Sequence, residues 1–268
     1  MISSGTIDRR EIFDLYREER RASIVPGYRV EALPALTRYT AERPGDEGFV
    51  VFARFRSDDA DAVIGEQLAY FEARGEPFEW KVYDFDFPVG LRGVLGSYGF
   101  RAGVVECFMV LPARSSGPVR SGEATIRDAT LDNGVIEDVV RVHEEVRGRP
   151  HPGLERRLRE AITPRPTCAS IHCAYLDGRP VGCGWVDFTR GSRFADLHGA
   201  AVLESARGRG IYTQLYERRV TAAMERGCRY LAADATDMSR PILQKKGFIA
   251  VCETVPMRSG PVGEEHPG

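Results

Sequence analysis

Two hydrophobic periods alternate along the second half of the chain. Runs with a period of two predict strands, and runs whose apolar residues recur every three to four positions predict helices. The predicted strands are 124–127, 168–175, 180–188, 194–203, 230–233 and 248–257. The predicted helices are about 135–146, 154–162, 210–226 and 239–246. Asp177-Gly178 between the second and third strands favours an antiparallel hairpin, and Gly199 in the fourth is consistent with a bulge.

The first half repeats the end of this pattern in a weaker form. It predicts a helix at 62–74, a strand at 80–83, a helix that ends near Gly99-Phe100 and a strand at 104–111. In the second half the same order of elements passes through Gly247-Phe248. This shared order predicts an internal duplication.

A stretch poor in apolar residues and rich in Gly, Ser and Pro separates the two halves. We therefore predict a first domain at 1–113, a linker at 114–122, a second domain at 123–258 and a tail at 259–268. The tail is rich in Gly, Pro and Glu, a composition that predicts disorder.

Composition narrows the class of protein. The 268 residues suffice for two domains, and 43% hydrophobic with 28% charged residues is typical of a soluble globular chain. The formal net charge of −2 gives no field that would attract nucleic acid or an anionic membrane. No apolar run approaches the ~18 residues of a membrane helix, and the first residues lead into the charged run 8–11 without a signal peptide. We expect a cytoplasmic protein that binds neither nucleic acid nor membrane.

The six cysteines are spread along the chain, and no two of them form a Cys-x-x-Cys pair. This spacing argues against a zinc site or a disulfide framework. We expect reduced thiols in core strands and no bound metal.

A turn rich in glycine and arginine lies between the strand that ends near Val202 and the following helix. It begins at Leu203 and includes Arg207-Gly208-Arg209-Gly210. Glycine permits backbone conformations that a side chain would obstruct, and the amides of a first helical turn have no partner within the helix. The positive end of the helix dipole and the two arginines favour an anion. We infer a site for a pyrophosphate.

A strand, then Val-x-x-x-x-Arg-Gly-x-Gly opening a helix, then strand, short helix and Gly-Phe resembles the GCN5-related N-acetyltransferase (GNAT) superfamily. The resemblance covers about Ala124 to Met257. It implies an α/β (α+β) fold, with a mixed central sheet flanked by helices, in two tandem copies of which the N-terminal one is degenerate. It also implies acetyl-coenzyme A as co-substrate and direct transfer of the acetyl group, in a ternary complex, to a primary amine of a small molecule or peptide. A monomer or a homodimer would fit.

The resemblance assigns coenzyme A contacts residue by residue. The backbone of Val202 would pair with the pantetheine arm, whereas Ser239 would either touch the coenzyme or only cap the last helix. Residues of the turn assigned to the coenzyme are Leu203, Arg207, Gly208, Arg209, Gly210, Ile211 and Tyr212. The chain departs from the family pattern at Tyr212, usually Gly or Ala, and at Glu204, often Pro. It departs again at Leu243, where a tyrosine commonly protonates the leaving thiolate.

The amine acceptor must lose a proton before it can attack. A lysine-like amine with a pKa of ~10.4 is disfavoured in its neutral form by roughly 4–5 kcal/mol at pH 7. Asp196, His198 and Val202 alternate along one strand and nominally share one side, before any bulge. Some family members carry the proton acceptor on this strand, so the resemblance implies His198 and Asp196 as base and relay. A core role for His198, a plain surface role for Asp196 and surface roles for residues 143–145 stay open.

Two other functions stay open. The turn resembles the dinucleotide fingerprint, as Gly208-x-Gly210-x-x-Thr213, but the third glycine is missing and little chain remains for a doubly wound sheet. A non-catalytic acyl-coenzyme A sensor or interaction module is motivated by Leu243 and Tyr212. The corresponding turn of the first half, 57–61, holds three aspartates and no glycine, so we expect no pyrophosphate there.

Overall fold

The computed structural model describes residues 8–113, 122–164 and 167–259. Most of the predicted linker and nearly all of the predicted tail lie outside these residues, at 114–121 and 260–268. The helices are α1 Arg9–Arg21, α2 Ala60–Glu72, α3 Leu91–Ser97, α4 Val135–Arg147, α5 Leu154–Ile162, α6 Ile211–Glu225 and α7 Arg240–Lys245. The strands are β1 Tyr28–Ala32, β2 Thr37–Ala41, β3 Gly48–Val51, β4 Phe78–Tyr83, β5 Arg101–Ala102, β6 Glu106–Pro112, β7 Thr125–Asp128, β8 Ala169–Leu176, β9 Arg179–Phe188, β10 Phe194–Val202, β11 Tyr230–Ala235 and β12 Ile249–Arg258.

The helices and strands predicted for the second half are all present, with ends within about two residues of the predicted ones. The bulge near Gly199 is confirmed, because the register between β10 and β9 shifts between His198 and Ala201. In the first half, α2, β4, α3 and β6 correspond to predicted elements, whereas α1, β1 to β3 and the short β5 were not predicted. Helix α1 is amphipathic and begins at a capped end, where the Asp8 carboxylate accepts the amide hydrogens of Arg10 and Glu11.

Contacts between Cα atoms divide the chain into two compact units. The first unit contains the described residues up to Val110 together with those from Asp234 onward, and the second contains Leu111 to Ala233. Helix α7 and strand β12 therefore group with the first unit. The domain boundaries predicted from the sequence stay a prediction.

The first unit is a mixed sheet with the strand order β1-β2-β3-β4-β12-β6, in which only β3 and β4 are parallel. The last strand of the chain thus inserts between β4 and β6. Helices α2 and α3 cover a core that includes Trp80 and Leu95, both wholly buried, and Phe71 stacked on Phe78 with ring centroids 4.2 Å apart. Each such side chain contributes about 1.5–3 kcal/mol relative to exposure.

The second unit is a mixed sheet with the strand order β7-β8-β9-β10-β11, in which only β10 and β11 are parallel. Helices α4 and α5 pack on one face, where Trp185 of β9 and Ala201 of β10 are buried. Helix α6 packs on the other face through Ile211 and Leu215, with Val202 beside them. The mixed α/β architecture agrees with the predicted fold class. Within the described residues, every helix is too short or too polar to cross a bilayer.

Candidate functional site

Strand β10 is paired on both edges only over its first residues. It follows β9 as far as the pair Val202 and Gly182, but it follows β11 only from Phe194 to Asp196. The Leu203 amide donates to the Val181 carbonyl at 2.9 Å. Val202 and Gly182 are therefore a non-hydrogen-bonded pair, and the Val202 amide and carbonyl point away from β9. The backbone at Val202 is a strand edge to which an extended ligand can add.

The turn after β10 combines exposure with left-handed backbone. Gly208 and Gly210 have φ angles of 77° and 76°, conformations that side chains rarely adopt. A Cβ at either position would meet nothing within 4 Å, so backbone conformation rather than lack of space favours glycine. Arg207 to Gly210 are all exposed, and Gly210 caps α6 without any side-chain hydrogen bond.

The amides of this turn are unpartnered. Among the described residues, the amides from Gly208 to Thr213 make no hydrogen bond to an acceptor. They open a helix of 15 residues, whose dipole places a partial positive charge at this end. Neither occupation by the protein's own groups nor burial therefore blocks an anion here.

Both arginines of the turn already make contacts with the protein. The Arg209 guanidinium pairs with the Glu123 carboxylate, with its Nε 2.9 Å from Oε2. The Arg207 Nε donates to the Val202 carbonyl at 3.3 Å. The side chains of Arg209 and Glu123 are 45% and 64% exposed, and exposed ion pairs contribute only about 0–1 kcal/mol. A phosphate can compete for such a cation.

His198 and Asp196 lie on the exposed part of the α4–α5 face. The His198 Nε2 is 3.6 Å from the Asp187 Oδ2 of β9, with both side chains nearly half exposed. Asp187 is also the cross-strand partner of Asp196. The three residues are therefore neighbours on this face of the sheet. Sequence reasoning missed Asp187, because the register between β9 and β10 that places it opposite Asp196 is a non-local property.

The bulge overturns one predicted placement. The sequence pattern put Asp196, His198 and Val202 nominally on one side. Trp185, the partner of His198, belongs to the α4–α5 face, whereas Val202 packs against α6. The prediction is wrong for Val202 because the extra residue of a bulge shifts the alternation by one position.

The candidate residues on α4, 143–145, are held by contacts within the fold or lie on the surface. His143 is buried, with its ring 5.6 Å from Trp185 and 5.3 Å from His151. Burial, with several nearby arginines, lowers the pKa of His143 to about 3. It is therefore neutral near pH 7 and too weak a base to deprotonate an amine. The Glu144 carboxylate accepts the His151 amide hydrogen at 2.8 Å, and Glu145 is exposed.

The remaining residues predicted to contact the coenzyme lie in two places, the start of α6 and the start of α7. Tyr212 and Ile211 form the first turn of α6, the former half-buried and the latter buried. Ser239 groups with the first unit, and its hydroxyl donates to the Thr236 carbonyl at 3.3 Å. Leu243 is buried and contributes no acid. Among the described residues, no group of three or more His, Cys, Asp or Glu side chains is arranged to hold a metal.

The corresponding region of the first unit is built differently. Beyond the paired part of β3 and β4, the Phe87 amide donates to the Ala53 carbonyl at 3.0 Å, and the Phe55 amide donates to the Phe87 carbonyl at 3.3 Å. Residues 53–55 therefore remain hydrogen-bonded to the segment that follows β4. Phe52 packs against Phe13 and Tyr83, with ring centroids 6.1 and 5.5 Å away.

The comparisons with known proteins concern the family and the fold. Residues 133–248 match the model of the acetyltransferase (GNAT) family. The structure is similar to a GCN5-related N-acetyltransferase from Kribbella flavida, with a TM-score of 0.64, 14% identity, and 95% of this chain and 96% of that chain covered. It is similar to a GCN5-related N-acetyltransferase from Sphaerobacter thermophilus, with a TM-score of 0.59, 18% identity, and 84% and 76% covered. It is also similar to a tandem GNAT protein from the clavulanic acid biosynthesis pathway, with a TM-score of 0.59, 13% identity, and 90% and 86% covered.

At these identities the structural likeness concerns the fold alone. No curated protein matches the sequence. The predicted family is confirmed for residues 133–248 and the predicted fold class is confirmed, whereas the degeneracy of the N-terminal copy stays a prediction.

Proposed function

Because residues 133–248 match the model of the GNAT acetyltransferase family, we propose that this chain transfers an acetyl group from acetyl-coenzyme A to a primary amine. The acceptor belongs to a small molecule or a peptide and attacks directly in a ternary complex. The observation that carries the proposal is the exposed turn from Gly208 to Thr213, whose amides have no acceptor among the described residues.

The coenzyme fits the residues present. Free amides at a helix N-terminus, with two arginines beside them, suit a diphosphate. Leu203, Arg207 to Gly210, Ile211 and Tyr212 would hold it, and the outward-facing backbone of Val202 would bind the pantetheine arm as an added strand. Acetyl-coenzyme A supplies an activated acyl thioester. Ser239 lies in the other unit and stays a predicted contact.

Proton transfer is the task of His198, Asp196 and Asp187. An amine with a pKa of ~10.4 is mostly protonated at pH 7, so a nearby acceptor raises the fraction of the nucleophilic form. His198 would take the proton, with Asp187 3.6 Å from its Nε2 and Asp196 beside Asp187 to stabilise the imidazolium. Leu243 offers no proton to the leaving thiolate, whose pKa of ~8.5 lies only about 1.5 units above pH 7. Solvent protonation then suffices at a reduced rate.

Product mass tests the proposal directly. The full chain is incubated with acetyl-coenzyme A and a panel of primary amines, and acetylated products are detected by mass spectrometry. Turnover that falls in His198→Ala and Asp196→Ala, but not in the exposed control Glu145→Gln, supports the assignment. Thiol-reactive dyes are avoided because the protein carries six cysteines of its own.

A sensor or interaction module of the same fold is the second candidate. The buried Leu243, at the position of the usual proton donor, favours it. Tight binding of coenzyme A, without an acetylated product across the panel, would select this function. A cytoplasmic location and a monomeric or homodimeric state stay predictions.

A further inference from the structure

Arg219 in the middle of α6 is a buried cation without a carboxylate partner. Its side chain is 1% exposed. The Nε donates to the Leu215 carbonyl at 3.2 Å, and one Nη donates to the His198 carbonyl at 3.4 Å. The second Nη is buried and makes no hydrogen bond of good geometry, although the Tyr212 side chain interacts with the guanidinium. Burial lowers the pKa of Arg219, as expected for a charge removed from water.

Stability does not account for this residue. Removing a guanidinium from water carries a desolvation penalty that two carbonyls offset only in part. Apolar side chains of similar volume are often as stabilising as a buried charge, or more so. The reason for a cation here must therefore lie in what it holds.

The sheet makes room for the guanidinium. A Cβ at Gly184 of β9 would lie 3.2 Å from the Arg219 Cζ, so a side chain there would press on the charged group. Gly184 is the cross-strand partner of His172 on β8. His172 is buried, and its Nδ1 lies 3.8 Å from the Asp128 Oδ2. Burial lowers the pKa of His172 to about 4, so it adds no second positive charge near neutral pH.

What Arg219 holds is the bulge of β10. The register shift begins at His198, whose carbonyl accepts from Arg219, and Gly199 follows with a φ of 60°. From the other face, the Trp185 ring occupies the space that a Cβ at Gly199 would need. The bulge is thus fixed on one side by an indole and on the other by a guanidinium.

We propose that Arg219 is a positioning residue for acyl transfer. By holding the His198 carbonyl, it keeps the bulge in the shape that sends the His198 side chain to the α4–α5 face and Val202 to the α6 face. This inference rests on the proposed function, since the base and the pantetheine-binding edge are the two elements being placed. Misplacement of reacting groups by about 1 Å can reduce a rate on the order of 100-fold.

Substitution of Arg219 separates positioning from stability. Arg219→Met retains the length without the charge, Arg219→Lys retains the charge without the two-sided donor geometry, and Arg218→Met is the exposed control on the same helix. We expect Arg219→Met to fold with an equal or higher Tm and to lose roughly 10- to 100-fold in kcat. Arg219→Lys should recover part of the loss, and Arg218→Met should behave as wild type. A folded Arg219→Met with unchanged kcat and KM overturns the proposal.

Binding supplies a readout that does not depend on turnover. Coenzyme A would contact both the turn and Val202, whereas 3′-phospho-ADP lacks the pantetheine arm. Calorimetry on Arg219→Met should show weaker binding of coenzyme A, by about tenfold, and unchanged binding of 3′-phospho-ADP. Equal affinities in variant and wild type for both ligands count against positioning. A wild-type protein that binds neither ligand would instead refute the proposed function.

Gly184→Ala covers the case in which Arg219→Met fails to fold. It keeps the charge but displaces the guanidinium, so kcat should fall while the Tm changes little. Wild-type kcat and coenzyme A affinity in this variant would equally overturn the proposal.

Discussion

A negative charge at Gly210 is the most direct perturbation of the proposed coenzyme site. The residue is exposed, has a φ of 76°, and a Cβ built there meets no atom within 4 Å. Gly210→Asp therefore introduces no steric clash. The left-handed backbone conformation costs about 1–2 kcal/mol for a residue with a side chain, and less for Asp or Asn, which visit it more readily. The fold should survive the change.

The effect on binding is electrostatic. The new carboxylate would lie beside the unpartnered amides of the turn, within about 4 Å of a bound phosphate. Two unit charges at that distance repel by about 4 kcal/mol at an effective dielectric constant of 20. That energy corresponds to about a thousandfold weaker Kd. Gly210→Asn is the matched control, since it has the same shape and a similar backbone strain but no charge.

Calorimetry with coenzyme A at several salt concentrations measures the difference, and thermal unfolding checks the fold. We expect Gly210→Asn to bind within about tenfold of wild type, given the strain alone. Gly210→Asp should bind far more weakly, with a gap that narrows as salt screens the repulsion. If the two variants bind equally well, the diphosphate does not occupy this turn and the site assignment is wrong.

Three further predictions concern catalysis, pH dependence and folding. His198→Ala should lower kcat by roughly 10²–10⁴-fold at an unchanged Kd for acetyl-coenzyme A, and an unchanged kcat in product-mass kinetics would exclude it as the base. Burial raises the pKa of Asp86 from 3.8 to about 8, so folding favours its protonated form and stability should fall as pH rises between these values. Asp86→Asn should remove this slope, of up to about 1.4 kcal/mol per pH unit, and so stabilise the protein most near pH 9. The difference in unfolding free energy between Asp86→Asn and wild type is measured by urea unfolding, and an equal difference at pH 5 and pH 9 would contradict the prediction. A fragment ending at residue 113 should not fold stably, because β12 is missing from between β4 and β6, and a cooperative unfolding transition in circular dichroism would refute this.

Local signals made the candidate turn predictable. Gly208 and Gly210 favour left-handed backbone, and the apolar pattern on either side indicates where β10 ends and where α6 begins. Both conditions depend on residues within about ten positions, where propensity and periodicity are informative. The hairpin at Asp177-Gly178 was predictable for the same reason, and its residues have the φ angles of 48° and 76° that a type I′ turn requires.

Non-local pairing was not predictable. Asp187 lies opposite Asp196 only because β9 and β10 adopt one register, and that register changes at a bulge whose effect on side-chain direction the alternation rule does not include. In the sequence, Arg219 looks like an ordinary charged helix residue beside Glu217 and Arg218. Its burial depends on Gly184 of β9, which leaves space for the guanidinium on the α6 face.

The two units differ in the region that corresponds to the proposed coenzyme site, both in strand pairing and in the turn that follows. In the second unit, pairing between the parallel strands stops at Asp196 and the Val202 backbone faces away from β9. In the first unit, hydrogen bonds from 53–55 to Phe87 continue the attachment, and Phe52 has a φ of 59° although it is not glycine. Such a conformation persists only where packing enforces it, here against a ring cluster with Phe13. A closed strand edge followed by an aspartate-rich turn offers neither a backbone partner for pantetheine nor a cationic end for a diphosphate. One coenzyme per chain is therefore the stoichiometry that the proposed function requires.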